Sequence, residues 1–515
     1  MKKITALILA GIMIFALCAC GGNTGSSNDK ATNDPLTKDD VITMTILSHS
    51  SWPYREDWKA WDYIREGTGA TIEVNAIPST DYGSKVPLMF ADAENSLTDL
   101  IIFDYKPEAD KWVDQGGVIA YDDMAEYMPN YNAWIKTLNE DEYRNVITSR
   151  KSYDGKIYYT PATGREIQYG LRTWLYRKDI FEKHNIAVPT TFDEVYEACK
   201  ALKELYPESY PFCIRSGFQS LDVTGPSWKP YWNTGIYYNF DEDKWYYGAA
   251  EDITVDILEF YAKMVDEKLM PSDFMTMNES TWEELVTTDR AFIFPEFQTR
   301  IDYFHSLTRK NKPEFDLQVM APPVAAPTTG AAMINKKNYD PVGFVLTNTR
   351  NEKRIANAAK FIDWFYSDEA YELLSWGKEG ETYEIIDGKR KFIKETDSQD
   401  VTSLYGFKSY GTYTRQDPEA VKADLSSDTV ETAELVLEHT LPNENPTRWL
   451  SFNVEEQHVK EELGAAISNY TNEMLTKFIL KQEPISSFDK FVETLEEMGV
   501  NDLLAAYESA YNRVK

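Results

Sequence analysis

Short apolar runs alternate with amphipathic stretches along the first hundred residues. Val41-Ile42-Thr43-Met44-Thr45-Ile46-Leu47 is rich in β-branched side chains and predicts a strand. A loop, His49-Ser50-Ser51-Trp52-Pro53-Tyr54, follows it. Trp58, Trp61, Ile64 and Arg65 recur at helical spacing and predict a helix over 57–66. Residues 71–77 predict a second strand and 86–93 a second helix. Leu100-Ile101-Ile102-Phe103 is apolar throughout and predicts a short buried strand ending at Asp104. Strands alternating with helices predict a parallel α/β lobe. In such sheets ligands sit outside the carboxyl ends of the strands, which directs attention to the loops after Leu47 and Phe103.

The chain begins with Lys2 and Lys3, an apolar run from Ile4 to Leu17, and then Cys18-Ala19-Cys20-Gly21-Gly22. A basic start, a short apolar stretch and small residues at the cut read as a secretory signal. The run is shorter than the roughly 20 residues of a spanning helix. Leu17-Cys18-Ala19-Cys20 resembles the bacterial lipobox, which implies cleavage after residue 19 and a diacylglyceryl group on Cys20. Residues 21–40 are small and polar and read as a tether with a root-mean-square reach of roughly 25 Å.

Composition narrows the function classes. Lys2 and Lys3 leave with residues 1–19, so the net charge of −31 becomes −33. Such acidity argues against nucleic acid and against electrostatic docking on an anionic membrane. The mature length suggests two lobes. Cys199 and Cys213 remain after processing. They could be bonded outside the cell or be buried free thiols, since Cys199 shares a helical stripe with Phe192, Val195, Leu202 and Leu205. No paired Cys/His spacing suggests a zinc site.

Further along, Asp154-Gly155 predicts a hairpin turn, and Thr190 or Thr191 with Glu194 predicts a capped helix from Phe192. The stretch Asp154 to Leu205 contains DGK-I-Y, then Tyr176-Arg177-Lys178-Asp179-Ile180-Phe181-Glu182-Lys183, then Pro189-Thr190-Thr191-Phe192-Asp193-Glu194. It resembles family 1 extracellular solute-binding proteins, the substrate-capturing lipoproteins of ATP-driven sugar importers. Arg290 to Glu296, Ala359 to Glu369, Trp376 to Lys389 and Tyr470 to Tyr511 resemble the family in the same order, the last matching its long Gram-positive subgroup. The resemblance implies an α/β, two-lobed periplasmic-binding-protein-like fold of type II, with discontinuous lobes joined by a multi-strand hinge. We expect crossings near Thr160, Val319–Pro323 and Gly377–Gly388. Lobe 1 is then 41–160 plus 320–380, and lobe 2 is 161–319 plus 381–515.

Sugar capture needs flat apolar faces for ring C–H groups and planar polar groups for hydroxyls. Trp52 and Tyr54 follow the first strand, and Asp104 with Tyr105 follows the short apolar one. Trp228, Tyr231 and Trp232 lie in a Pro/Gly-bounded segment. All are candidate ligand contacts, with local packing or capping as the alternative. Arg165 lies past the first crossing, and Trp376 beside the third. Phe294 and Glu296 carry over from the family's strand that brings a binding aromatic to the cleft. Trp364 shares a helical face with Phe361 and Phe365 and reads as core; Arg415 and Trp449 are weaker candidates. Asn239, Asp241 and Asp243 could hold a structural calcium ion. Without a glycine at the sixth loop position, a hairpin turn is the better reading.

The resemblance therefore implies a monomeric, lipid-anchored receptor on the outer face of a Gram-positive cytoplasmic membrane. It would capture an oligosaccharide and hand it to membrane permease subunits, without cofactor, metal or nucleic acid. The competing readings are a surface glycoside hydrolase working with two carboxylates, and a binding protein for a peptide or another small solute. No catalytic motif supports the hydrolase, and the five histidines, His49, His184, His305, His439 and His458, are scattered.

Overall fold

The computed structural model describes residues 31–49, 53–103, 109–164, 171–215, 217–325, 333–335, 342–443 and 445–515. The chain lays down β1 (Val41–Ser48), β2 (Thr71–Pro78), β3 (Leu100–Phe103) and β4 (Val118–Ile119). β1 pairs in parallel with β2 on one side and β3 on the other. All four side chains of β3 are buried, as expected for a strand covered on both faces. Lys59–Thr68 is the first helix, burying Trp61 and Ile64. The second helix starts at Ser79, a turn and more before the expected position, because Tyr82 extends the buried stripe of Val86 and Met89.

The next strands build a different core. They are β5 (Arg172–Arg177), the hairpin β6 (Ile236–Asn239) and β7 (Lys244–Tyr247), β8 (Ile293–Phe297) and β9 (Leu317–Met320). β5 lies between β8 and β9, antiparallel to both. Thr191 caps the helix Phe192–Leu205 as predicted, its Oγ1 accepting from Glu194 N–H at 3.2 Å. Glu194 returns the contact one residue earlier, accepting from the N–H and hydroxyl of Thr190, each at 2.7 Å. Cys199 and Cys213 are free and buried in this core.

The last strands are β10 (Met333–Asn335), β11 (Gly343–Thr347), the hairpin β12 (Tyr383–Ile386) and β13 (Lys389–Phe392), and β14 (Thr440–Leu441). β11 returns to the first lobe and completes its sheet in the order β2-β1-β3-β11-β4. Asp99 staples the far end of this sheet: it accepts from Thr43 N–H at 2.8 Å, Thr43 Oγ1 at 2.7 Å and Arg354 Nε at 2.7 Å. Nearby, Lys360 Nζ donates to the carbonyls of Thr32 and Asp34 at 3.1 and 2.9 Å, and Leu36 packs on the first core. The N-terminal segment is thus bound to lobe 1.

Packing moves two of the expected crossings. Met320 and Ala325 belong to the second core and Val342 to the first, so the second crossing follows Ala325. Phe392, Val401, Phe407, Tyr413 and Ala420 belong to the first core. Segment 381–423 therefore lies in lobe 1, because the β12–β13 hairpin folds Tyr383 and Phe392 back onto Trp376. The third crossing falls between Asp424 and Ser426. Asp424 accepts from Val401 N–H at 2.9 Å in lobe 1. Ser426 N–H donates to Asp302 of lobe 2 at 3.1 Å. Beside the first crossing, Thr163 pairs as backbone with lobe 1: Thr163 N–H donates to Thr414 O, and Gln416 N–H to Thr163 O, both at 2.9 Å. Gly164, at φ 104°, lies so close that a Cβ would stand 1.9 Å from Gln416 O.

The Tyr-Arg-Lys-Asp stretch has a structural role. Arg177, 1% exposed, binds both oxygens of Asp179 at 2.8 and 2.7 Å and Asp289 at 2.8 Å, with its guanidinium 4.0 Å from the Phe315 ring. Removing one member of a buried ion network leaves uncompensated charge. Arg177→Ala should cost about 3 kcal/mol, read as a lower urea midpoint for unfolding of lobe 2.

Candidate binding cleft

β8 presents Phe294 and Glu296 on one face, two residues apart. Phe294 is fully buried, edge-on to Trp282 at 5.3 Å. Glu296 is 2% exposed; one oxygen accepts from Phe297 N–H at 2.9 Å and the other binds Arg215 Nε. The Arg215 and Arg300 guanidiniums lie 5.1 and 5.5 Å from the Trp282 ring. Arg300 pairs with Glu279 and stands 3.6 Å from Glu283. Trp282 and these five charged groups form one wall on lobe 2. Their positions follow from element ends: Glu279 opens the helix Glu279–Thr287, and Arg300 opens Arg300–Thr308.

His49 faces this wall from lobe 1, directly after β1. Burial holds its pKa below the usual histidine value; Glu279 pulls the other way, and Arg300 and Arg215 push it further down. The carboxyl end of β1 therefore meets the charged wall of the other lobe, where an α/β sheet is expected to place a ligand. Planar guanidinium and carboxylate groups supply fixed donors and acceptors for paired hydroxyls.

Of the expected contacts, Trp52, Asp104, Tyr105 and Arg165 lie outside the described residues, as does Cys20. Tyr54 is half-buried over the first core, its ring 5.6 and 6.1 Å from those of Trp58 and Trp61. Trp228 packs on Phe192 at 3.8 Å between centroids. Trp232 is buried, and its Nε1 donates to Gly248 O at 3.2 Å. Tyr231, at φ 68°, lies against Phe240, and its hydroxyl accepts from Asn443 at 3.4 Å. Trp376 stacks on Phe392, and its Nε1 donates to Asp417 at 2.8 Å. These four rings and Phe294 are buried, each packed against the neighbours just named. Trp364 is core, as its helical spacing predicts. Arg415 donates to Tyr366 O at 2.8 Å beside the hinge, and Trp449 packs against Tyr511.

Sequence reasoning overlooked His49, Arg215, Trp282 and Arg300 as a group. One signal was available: Phe212-Cys213-Ile214-Arg215 ends an apolar run with a charge, the same pattern that singled out Asp104.

Asn239 to Asp243 form the β6–β7 turn. Asn239 Oδ1 accepts from the N–H groups of Asp241 and Glu242 at 3.0 and 3.2 Å, and Asp243 pairs with Lys515. Among the described residues, His305, Asp316 and Asp428 are close enough to hold a metal ion. The Arg309 guanidinium already contacts all three at 3.0–3.1 Å, placing a fixed cation among them.

The family model of bacterial extracellular solute-binding proteins matches residues 54–372. The chain belongs to this family. Its fold is the family's two-lobed, type II arrangement. It is 21% identical to lipoprotein LipO of Bacillus subtilis (strain 168), covering 100% of this chain and 99% of the relative. It is 22% identical to the polygalacturonan/rhamnogalacturonan-binding protein YtcQ of the same organism, covering 99% and 98%. The crystal structure of alginate-binding protein AlgQ2 without calcium ion superposes with a TM-score of 0.74 at 18% identity, covering 92% of this chain and 98% of that one.

For an extracellular solute-binding protein, the His49 geometry has a consequence in pH. A base with a lowered pKa is favoured neutral where the lobes meet, and charging it there costs free energy. Solute affinity should be steady above about pH 6.5 and fall as the pH drops below it. The His49→Gln variant should show a flatter profile by calorimetry between neutral and mildly acidic pH.

Proposed function

We propose that this protein is a non-catalytic receptor that captures an oligosaccharide between its lobes and delivers it to the permease of an ATP-driven importer. The observation that carries the reading is the meeting of His49 with the Arg215–Glu296 and Arg300–Glu279 pairs across the lobe boundary. This is an array of fixed donors and acceptors suited to hydroxyl groups. The full-length relatedness to a polygalacturonan/rhamnogalacturonan-binding protein, and the likeness in fold to an alginate-binding one, support a carbohydrate ligand. Trp52, Asp104, Tyr105 and Arg165, candidates from the sequence alone, supply the remaining contacts in this reading. Glu296 acts through Arg215 by holding its guanidinium.

Ligand shifts the lobes toward the closed form, which docks on the permease. A diacylglyceryl group on Cys20 holds the receptor on the outer face of the membrane; two acyl chains make that attachment stable.

The test is calorimetry and thermal shift across oligogalacturonides, alginate oligomers, fructans and N-glycans. A glycan should bind and raise the melting temperature without release of new reducing ends. Arg215→Ala should weaken it at least about tenfold, near 1.4 kcal/mol. Tight binding of a peptide or another solute, with every glycan silent, would overturn the sugar reading; new reducing ends would overturn the non-catalytic one. Cys20→Ala should be shed into the medium with its affinity unchanged.

A further inference from the structure

The lobes also touch outside the three chain crossings. Ser451 Oγ of lobe 2 lies 2.8 Å from Asp110 Oδ2 and 3.0 Å from Lys151 O, both in lobe 1. Ser152 Oγ steadies the other Asp110 oxygen at 3.3 Å, and Arg513 holds Ser451 O at 2.8 Å from within lobe 2. A crevice of about 260 Å³ opens beside this contact and is lined from both sides. Lobe 1 contributes Asp110, Lys111, Asp114, Gln115 and Tyr153. Lobe 2 contributes Leu450, Phe452 and the first turns of the helix Val454–Ile479.

The lining is mixed in character. Asp114 and Glu461 are acceptors, Lys111 and Lys460 are donors, and Gln115 and Gln457 are both. Leu450, Phe452 and Val454 add apolar surface. A phosphate would meet the carboxylates, and a metal ion would meet the ammonium groups. A neutral ring with hydroxyls around its edge finds both donors and acceptors, with apolar surface for its C–H face. The space is below the roughly 300–1,000 Å³ of pockets for drug-sized ligands, which suits one sugar ring.

Building on the carbohydrate reading above, we propose that this crevice is a second glycosyl subsite, bridging the lobes. Its occupant is either the overhanging end of a chain held in the main cleft or a separate short sugar; the recognition chemistry is the same. Because Asp110 lines the crevice and also binds Ser451, an occupant touches the contact that joins the lobes. It favours the arrangement in which they meet.

The test fills the crevice from its rim. Val454 is 64% exposed, so Val454→Trp leaves the core untouched; Gln457→Trp is the second variant. Both are first checked for unchanged melting without sugar. Dimers and hexamers of neutral sugars (inulin-type fructan, mannan and glucan) are then titrated into each. If a chain overhangs, the variants lose about tenfold in affinity for hexamers and nothing for dimers. If a separate sugar binds, wild type takes two dimers per protein and the variants one. Unchanged affinity and stoichiometry at both lengths in both variants overturns the subsite while leaving sugar capture intact. If no sugar binds wild type, both readings fall.

Discussion

The backbone pair that joins Thr163 to Thr414 and Gln416 is the constraint on which the rest of the molecule depends. Two cores pack separately, one around β1, β3 and β11, the other around β5, β8 and β9. A chain that passes between them must satisfy its peptide groups where neither sheet can serve. At the exit from lobe 1, Thr163 does this with Thr414 and Gln416 of the same lobe, at a separation that leaves no space for a side chain on Gly164. Asp424 and Asp302 extend the principle: one binds backbone of lobe 1, the other backbone of lobe 2, and only Leu425 separates Asp424 from Ser426. The chain thus passes from one core to the other within a few residues.

The predicted elements whose evidence is local were legible in the sequence. β1, β3 and the capped helix at Phe192 follow from β-branching, an apolar run and a Thr/Glu pair, none of which needs a distant partner. The lobe assignment of 381–423 was not legible, since it depends on Tyr383 and Phe392 meeting Trp376. The aromatic cluster at 228–232 reads as a site because Gly and Pro bound it. Gly225 is there for a different reason: a Cβ would stand 2.0 Å from the Trp232 ring. Glycine beside tryptophan marked close packing rather than an open loop. The cleft wall escaped notice because its members are far apart in sequence and become neighbours only when β8 and two helix starts converge on Trp282.

The motifs that most resemble the family are mainly those that build it. Arg177 and Asp179 neutralise each other inside lobe 2, and Trp364 fills lobe 1. Neither reaches the boundary where His49 meets Arg215 and Arg300. Family resemblance can therefore be strong while ligand identity remains a matter of a few side chains at strand and helix ends.

The docking of Thr32, Asp34 and Leu36 on lobe 1 has a mechanical meaning. They sit at the amino end of β1, while His49 marks the other end, roughly 25 Å away along an eight-residue strand. A pull arriving through the preceding residues would enter lobe 1 at the pole opposite His49, and would turn the body as one rather than load the lobe boundary.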